Sequence, residues 1–127
     1  MTKIVLAIDI MGGDFGPGVT IEGVAMASEL FPHVKFKLFG DKKVAEVELK
    51  KNKNFTNYEL VHTEEKIESG DEPVSALRKL KKSSMRLGVN DVASSDCHGF
   101  VSAGNTGALM AISKFVLKTI EGVSRPA

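Results

Sequence analysis

The chain has 127 residues, 43% apolar and 26% charged, with a formal net charge of +1 and a single cysteine, Cys97. This is the composition of one soluble globular domain with a real hydrophobic core. It excludes an internal disulfide, and it gives no bulk charge for binding nucleic acid or a membrane.

The opening apolar run is short and is broken by Asp9. It suits neither a signal peptide nor a spanning helix, so the expected location is the cytoplasm. Ile4 to Ile10 is nearly continuous and β-branched, the pattern of a strand buried on both faces of a parallel sheet. Met11 to Pro17 ends it with three glycines in seven residues. Glycine permits positive φ and close approach of a ligand to the backbone. Pro17 suits the first turn of a helix, and Ile21, Val24, Ala27 or Ser28, and Phe31 then share one face, with Pro32 as the stop.

Val34 to Phe39 is the second predicted strand. Val34, Phe36 and Leu38 alternate with Lys35 and Lys37, which places one face in water or near an edge. Gly40-Asp41 starts a short charged helix with Val44, Val47 and Leu49 facing inward. Lys50 to Asn57 is polar and turn-rich, a loop and the expected place for disorder. Tyr58 to His62 is the third strand, and Glu64 to Asp71 an acidic loop. Glu72-Pro73 starts a helix with Val74, Leu77 and Leu80 as its buried stripe. Ser83-Ser84 caps the next helix, in which Met85, Val89 and Val92 share a face. Ser94 to His98 connects to a fourth strand, Gly99 to Ser102. The last helix is expected from about Thr106 to Ile120, deeply buried and ended by Gly122.

Strands alternating with helices predict an α/β fold, a three-layer αβα arrangement with a mostly parallel sheet. In such sheets ligands bind at the carboxyl ends of the strands. Two small-residue turns fall at that edge: Met11 to Pro17, and the turn inside Val101 to Met110. Each gathers backbone N–H groups at a helix start, a place for a phosphate or a developing oxyanion. The expectation is that the two turns line one anion-handling site.

The stretch Ala7-Ile8-Asp9-Ile10-Met11-Gly12-Gly13-Asp14-Phe15-Gly16-Pro17, together with Val101 to Met110, resembles the two N-terminal signatures of the bacterial phosphate acyltransferase (PlsX) family. Asp71-Glu72-Pro73, Lys82-Ser83-Ser84-Met85 and Gly122-Val123-Ser124-Arg125-Pro126-Ala127 are similar to that family in the same order and spacing. The resemblance covers essentially the whole chain and concerns only the N-terminal part of such an enzyme, whose members are well over twice as long. Residues 1–127 are therefore expected to be a single α/β domain, the N-terminal portion of a longer family domain.

The resemblance implies transfer of a long-chain acyl group from acyl carrier protein to inorganic phosphate, giving an acyl phosphate for phospholipid synthesis. It also implies a fold like that of the isocitrate and isopropylmalate dehydrogenases and a homodimer; no cofactor is expected. Membrane contact, if peripheral, has no visible element in this stretch.

Phosphate attack on a thioester requires two anions to be managed, the nucleophile and the tetrahedral oxyanion. The turn from Ser102 through Gly104 to Gly107, with Asn105 and Thr106 as side-chain donors, is the candidate for holding them. Gly12 and Gly13 let substrate reach the backbone, and Lys82, Ser83 and Ser84 form a candidate third wall. Asp14 has two readings: it orients a neighbouring donor or lysine, or it caps the helix after it. Phosphate itself is the nucleophile, so no acyl-enzyme is required.

Other features have plainer readings. The basic run Arg78 to Arg86 is either a solvated helix face or a docking surface for an acidic carrier. Cys97 and His98 are adjacent, so on extended chain they point to opposite sides, and a packed thiol is expected. His33 and His62 lack ligand-like spacing and no metal site is expected. Neither glycine turn is a full Gly-x-Gly-x-x-Gly, which disfavours a dehydrogenase-like nucleotide binder. The alternative to a transferase is a truncated, non-catalytic piece that folds, self-associates and at most binds phosphate.

Overall fold

The computed structural model describes residues 3–125. Pro126 and Ala127, the end of the last family-like stretch, lie outside the described residues. Nine elements follow one another among the described residues, strands alternating with helices except where two helices stand in a row: β1 Ile4–Asp9, α1 Gly16–Leu30, β2 Val34–Gly40, α2 Lys42–Lys51, β3 Tyr58–His62, α3 Pro73–Lys79, α4 Ser84–Ala93, β4 Gly99–Val101 and α5 Thr106–Val116. The strands form one sheet in the order β3-β2-β1-β4, with every neighbouring pair parallel. Helices cover both faces, so the expected three-layer α/β architecture is present.

Period-two alternation sorts the two faces of the sheet. Leu6, Ile8, Val34, Phe36 and Leu38 pack against Ile21 and Val24 of α1 and Ala45 and Leu49 of α2. The opposite face offers Val5, Ala7, Phe39 and Phe100 to Leu87 and Val92 of α4, with Cys97 buried among them. Outside α4 lie α3 and α5, which share a second core of Ile67, Ala76, Met85, Val89, Ala108 and Ile112. On this side, α4 is thus the middle of a sandwich. It shows two apolar faces, which is why Met85 and Val89 are almost fully buried.

Several sequence expectations are corrected. β2 is not an edge strand but lies between β1 and β3. Its two lysines are tolerated because acids meet them: Lys37 pairs with Asp91 of α4, and Lys35 lies 3.6 Å from Glu59 of β3. In α2 the inward residues are Ala45 and Leu49, whereas Val44 and Val47 face solvent. The Lys50 to Asn57 stretch, expected as a loose loop, packs onto the sheet. Phe55 is buried against Phe36 and Tyr58, and Asn57 closes onto β2 by donating to the Val34 carbonyl (2.6 Å) and accepting from the Phe36 amide (3.1 Å). In α3 the fully buried residue is Ala76, and Val74 is exposed. Phe31 caps α1 from outside and is half exposed. The last helix stops at Val116, not Ile120; Lys118 follows in the left-handed region at φ +64°. Only Ala108 and Ile112 of α5 are fully buried, and Phe115 is 60% exposed.

The strand order carries the functional geometry. From β1 the chain runs outward through β2 and β3 by way of α1 and α2 on one face. It then returns to the other side of β1, through α3 and α4 on the opposite face, to lay down β4. The connection direction therefore reverses between β1 and β4. In open α/β sheets the crevice outside the carboxyl ends of the strands at such a switch point is where ligands bind.

Candidate functional site

Register brings the two turns together. Ile8 pairs with Val101 across β1 and β4, so the next residues outward, Asp9 and Ser102, stand side by side. Asp9 is 3% exposed, a charge buried at the end of a strand. A buried carboxylate requires hydrogen-bond donors. Asp9 has four: the amides of Met11 (3.0 Å) and Gly12 (3.1 Å) and the hydroxyl of Ser84 (2.7 Å) donate to Oδ1, and the hydroxyl of Ser102 (2.7 Å) donates to Oδ2. The Gly104 amide in turn donates to Ser102 Oγ (3.1 Å). One carboxylate thus joins the β1–α1 turn, the β4–α5 turn and the first residue of α4.

A cleft of about 630 Å³ opens beside this junction, lined by Gly13, Asp14, the loop from Lys66 to Ser69, and the turn from Ala103 to Gly107. Its walls come from three connections: β1–α1, β3–α3 and β4–α5. Gly13 adopts φ +94°, a conformation that side-chain-bearing residues rarely take, with Ala103 close beside it.

The N-terminus of α5 faces this cleft. Asn105 is its N-cap; its Oδ1 accepts from the Ala108 amide at 3.0 Å. The amides of Thr106 and Gly107, at the first two helical positions, find no acceptor among the described residues. Both residues line the cleft. Two free N–H groups at the positive end of a helix dipole form an anion-binding arrangement.

The sequence-predicted residues separate into three places. Gly13, Asp14, Gly104, Asn105, Thr106 and Gly107 line the cleft. Gly12, Ser84 and Ser102 sit behind it in the Asp9 junction. Lys82 and Ser83 lie elsewhere. The Ser83 hydroxyl is fully buried and caps α4 by accepting from the Arg86 amide at 3.1 Å. The backbone of Lys82 is tied to Glu65 and Thr63, and its side chain is outside the cleft lining.

The structure gives particular residues different tasks from those expected. Asp14 does not cap α1, because Phe15 is the N-cap and makes no side-chain capping bond. The Asn105 amide group is already engaged: Nδ2 donates to the carbonyls of Asp71 (2.9 Å) and Glu68 (3.1 Å). It thereby ties the cleft's loop wall to α5. Behind that wall, the two oxygens of Glu72 accept from the Val74 (3.0 Å) and Ser75 (2.8 Å) amides. These bonds hold the Glu72 carboxyl below its ordinary range.

Sequence reasoning missed two residues. Asp9 was visible as the one polar interruption in an apolar strand, which marks a buried charge with partners. Lys66, the cation in the cleft lining, carried no signal, since it sits in a loop read as acidic. It lies 3.6 Å from Glu68. Cys97 is packed in the core, where burial, the largest cause, raises its thiol pKa. The neighbouring His98 is exposed, and its Nδ1 accepts from the Val5 amide at 3.1 Å. Among the described residues no group of three or more His, Cys, Asp or Glu is placed to hold a metal, and no helix is long and apolar enough to cross a membrane.

Fold and cleft define an α/β protein with a backbone-built pocket at the switch point of a parallel sheet. The chain belongs to the fatty acid synthesis protein family, whose sequence model matches residues 4–127. It is similar to the curated phosphate acyltransferases of Shewanella loihica (46% identical over 129 aligned residues), Shewanella woodyi (44% over 129) and Aliivibrio salmonicida (43% over 130). Each alignment takes in 100% of this chain and 38% of the relative, so the chain spans well under half the length of these enzymes.

Proposed function

We propose that this chain is the phosphate-handling N-terminal part of an acyltransferase. The whole enzyme would move a long-chain acyl group from acyl carrier protein to inorganic phosphate. The observation that carries this reading is that Thr106 and Gly107, whose amides find no acceptor among the described residues, line a cleft also lined by Lys66 and Gly13. The name shared by the relatives supports it.

In this reading phosphate sits at the start of α5. The Thr106 and Gly107 amides and the Thr106 hydroxyl donate to its oxygens, and Lys66 balances its charge. A phosphate oxygen attacks the thioester carbonyl carbon. A C–O bond forms while the carbonyl electron pair moves onto oxygen. Collapse of that oxyanion breaks the C–S bond, and the carrier thiolate leaves and takes a proton from water. A donor held in place at the oxyanion supplies about 3–4 kcal/mol of transition-state stabilisation. Asn105 serves here by fixing the wall and the helix start, with its own donor turned to Glu68 and Asp71. Asp14 borders the same cleft, where its carboxylate orients Lys66 or the incoming thioester and keeps a second anion out of the phosphate position.

The described residues form one α/β unit, read here as part of a longer, cytoplasmic and homodimeric enzyme. The test follows free thiol released from long-chain acyl carrier protein with and without inorganic phosphate. Phosphate-dependent release by this chain means that it holds a complete site. No release from the folded chain, together with phosphate-induced shifts of the Thr106 and Gly107 amides, means that it binds the nucleophile and needs further residues for transfer. The second reading, a non-catalytic piece that self-associates, is favoured by the exposed apolar end of α5 and the segment after it.

A further inference from the structure

We infer that Asp9 is a positioning residue for the cleft, aligning the β1–α1 and β4–α5 turns so that their phosphate-facing groups stay in register. This rests on the phosphate reading above and adds to it a residue that does not itself touch the cleft.

The argument starts from what the carboxylate holds. Its Oδ1 takes the Met11 and Gly12 amides, so those donors point inward and are unavailable to a ligand. The first backbone groups of that turn open to the cleft belong to Gly13 and Asp14. Its Oδ2 takes the Ser102 hydroxyl, whose oxygen accepts from the Gly104 amide. The path from the carboxylate to the free donors therefore runs Asp9, Ser102, Gly104, then the cap residue Asn105 and the amides of Thr106 and Gly107.

Close packing makes the junction a fixed one. Gly12 lies so near that a Cβ there would stand 2.8 Å from Asp9 Oδ2 and 3.0 Å from Ser102 Oγ. Both serine donors complete the four-donor shell that an ionised carboxylate accepts. Asp9→Asn keeps the Oδ1 acceptor and the shape. It puts an NH₂ group where the Ser102 hydroxyl donates, so the hydroxyl loses its acceptor, must turn its proton away, and meets two donors, the new NH₂ and the Gly104 amide, which shifts the turn that Gly104 carries. The carboxylate is worth more than a filled volume for this reason: an acceptor at Oδ2 takes the Ser102 proton and so fixes the hydroxyl in the orientation in which it accepts from Gly104.

The test titrates inorganic phosphate into uniformly ¹⁵N-labelled chain and follows the Gly13, Thr106 and Gly107 amides. Urea unfolding is run on each variant, because stability alone does not separate positioning from structure. Asp9→Asn and Ser102→Ala are compared with Leu49→Ala, which loosens the core on the far side of the sheet. Asp9→Asn and Ser102→Ala are expected to weaken phosphate binding about tenfold, the effect of one misplaced hydrogen bond. Leu49→Ala is expected to lower the unfolding midpoint while binding phosphate as the unaltered chain does. Equal phosphate affinity in all three variants overturns the inference and leaves Asp9 a structural clamp. An unaltered chain whose amides do not move with phosphate overturns the phosphate reading itself, and the inference with it. The two failures are told apart by which protein fails to respond.

Discussion

Gly12 and Gly104 meet backbone to backbone: a Cβ on Gly12 would stand 2.8 Å from the Gly104 amide nitrogen. The turn after β1 and the turn after β4 are therefore one packed junction. The space between them is filled by the Asp9 carboxylate and the Ser102 hydroxyl. Gly12→Ala forces a methyl group among atoms already fixed by hydrogen bonds, where none can swing away as the end of a flexible side chain would. Overpacking of this kind costs about 1–3 kcal/mol. The urea midpoint is expected to fall accordingly, and an unchanged midpoint would show that the two turns separate freely.

Asn105 joins two structures with one side chain. Its oxygen caps α5, and its nitrogen holds the loop carbonyls of Glu68 and Asp71. Asn105→Ala removes both functions, and loss of the cap alone costs about 1 kcal/mol. Asn105→Asp keeps the cap acceptor and sets a carboxylate against the two carbonyls. Hydrogen exchange distinguishes these roles. In Asn105→Asp the amides of the Lys66 to Asp71 loop are expected to exchange faster while those of α5 stay protected. In Asn105→Ala both regions are expected to loosen.

At alkaline pH two groups near Asp91 act in the same direction. The Lys37 ammonium is held above its ordinary pKa of 10.5, first by its hydrogen bond to Asp91 and then by that residue's charge, against the opposing effect of burial. The Cys97 thiol is raised above 9.0, chiefly by burial and then by the charge of Asp91. Both folded-state values exceed the unfolded ones, so folding favours the protonated forms. Their contribution is complete below the ordinary pKa of each group and is lost as pH rises past it. Urea midpoints are expected to hold steady up to pH 9.0, then fall, and to fall further above 10.5. Cys97→Ala removes the first part of that decline; a decline unchanged in this variant rules the thiol out as its source.

Glu72 gives the opposite sign. Amide donation from Val74 and Ser75 lowers its pKa below the ordinary 4.5, so folding favours the ionised form. The stabilisation is present above 4.5 and is lost as pH falls through the depressed folded value. Glu72→Gln keeps oxygen for one of the two amides and cannot titrate. Its stability is expected to fall less steeply with acid than that of the unaltered chain. Parallel acid limbs in the two proteins would remove Glu72 from the account.

Much of this arrangement was legible in the sequence, for identifiable reasons. The continuous apolar run of β1 and the alternation of β2 reported strands, and Pro17, Glu72-Pro73 and Ser83-Ser84 marked helix starts. That Met11–Pro17 and Ser102–Gly107 share an edge followed from the α/β pattern alone. What the sequence could not report was occupancy. Residue type made Ser84 and Ser102 candidate phosphate ligands, yet Asp9 is close enough to engage both. Lys37 looked solvent-facing until α4 laid Asp91 against it. Lys66, not Lys82, came to the cleft because the β3–α3 loop folds over the start of α5, held there by Asn105. Each of these is a tertiary contact between distant segments, which periodicity does not encode.

The end of α5 and the segment after it present an unusual surface. Phe115 (60%), Leu117 (42%), Ile120 (78%) and Val123 (43%) are all exposed within nine residues. Large apolar side chains clustered in this way mark an interaction surface or an association hazard. Phe115 is steadied on one side by the Arg86 guanidinium, 5.5 Å from its ring centroid, whereas Ile120 is 78% exposed. The chain spans 38% of the relatives it matches, so in a longer protein these side chains could be covered by further chain; for this chain by itself, the way for them to leave water is against a second copy. The mass measured by light scattering is therefore expected to rise with protein concentration above that of a monomer. Ile120→Glu places a charge in the patch without disturbing the core, and its mass is expected to stay close to the monomer over the same range. A strictly monomeric unaltered chain at high concentration sinks the self-association reading. A variant that associates as strongly as the unaltered chain moves the contact to another face.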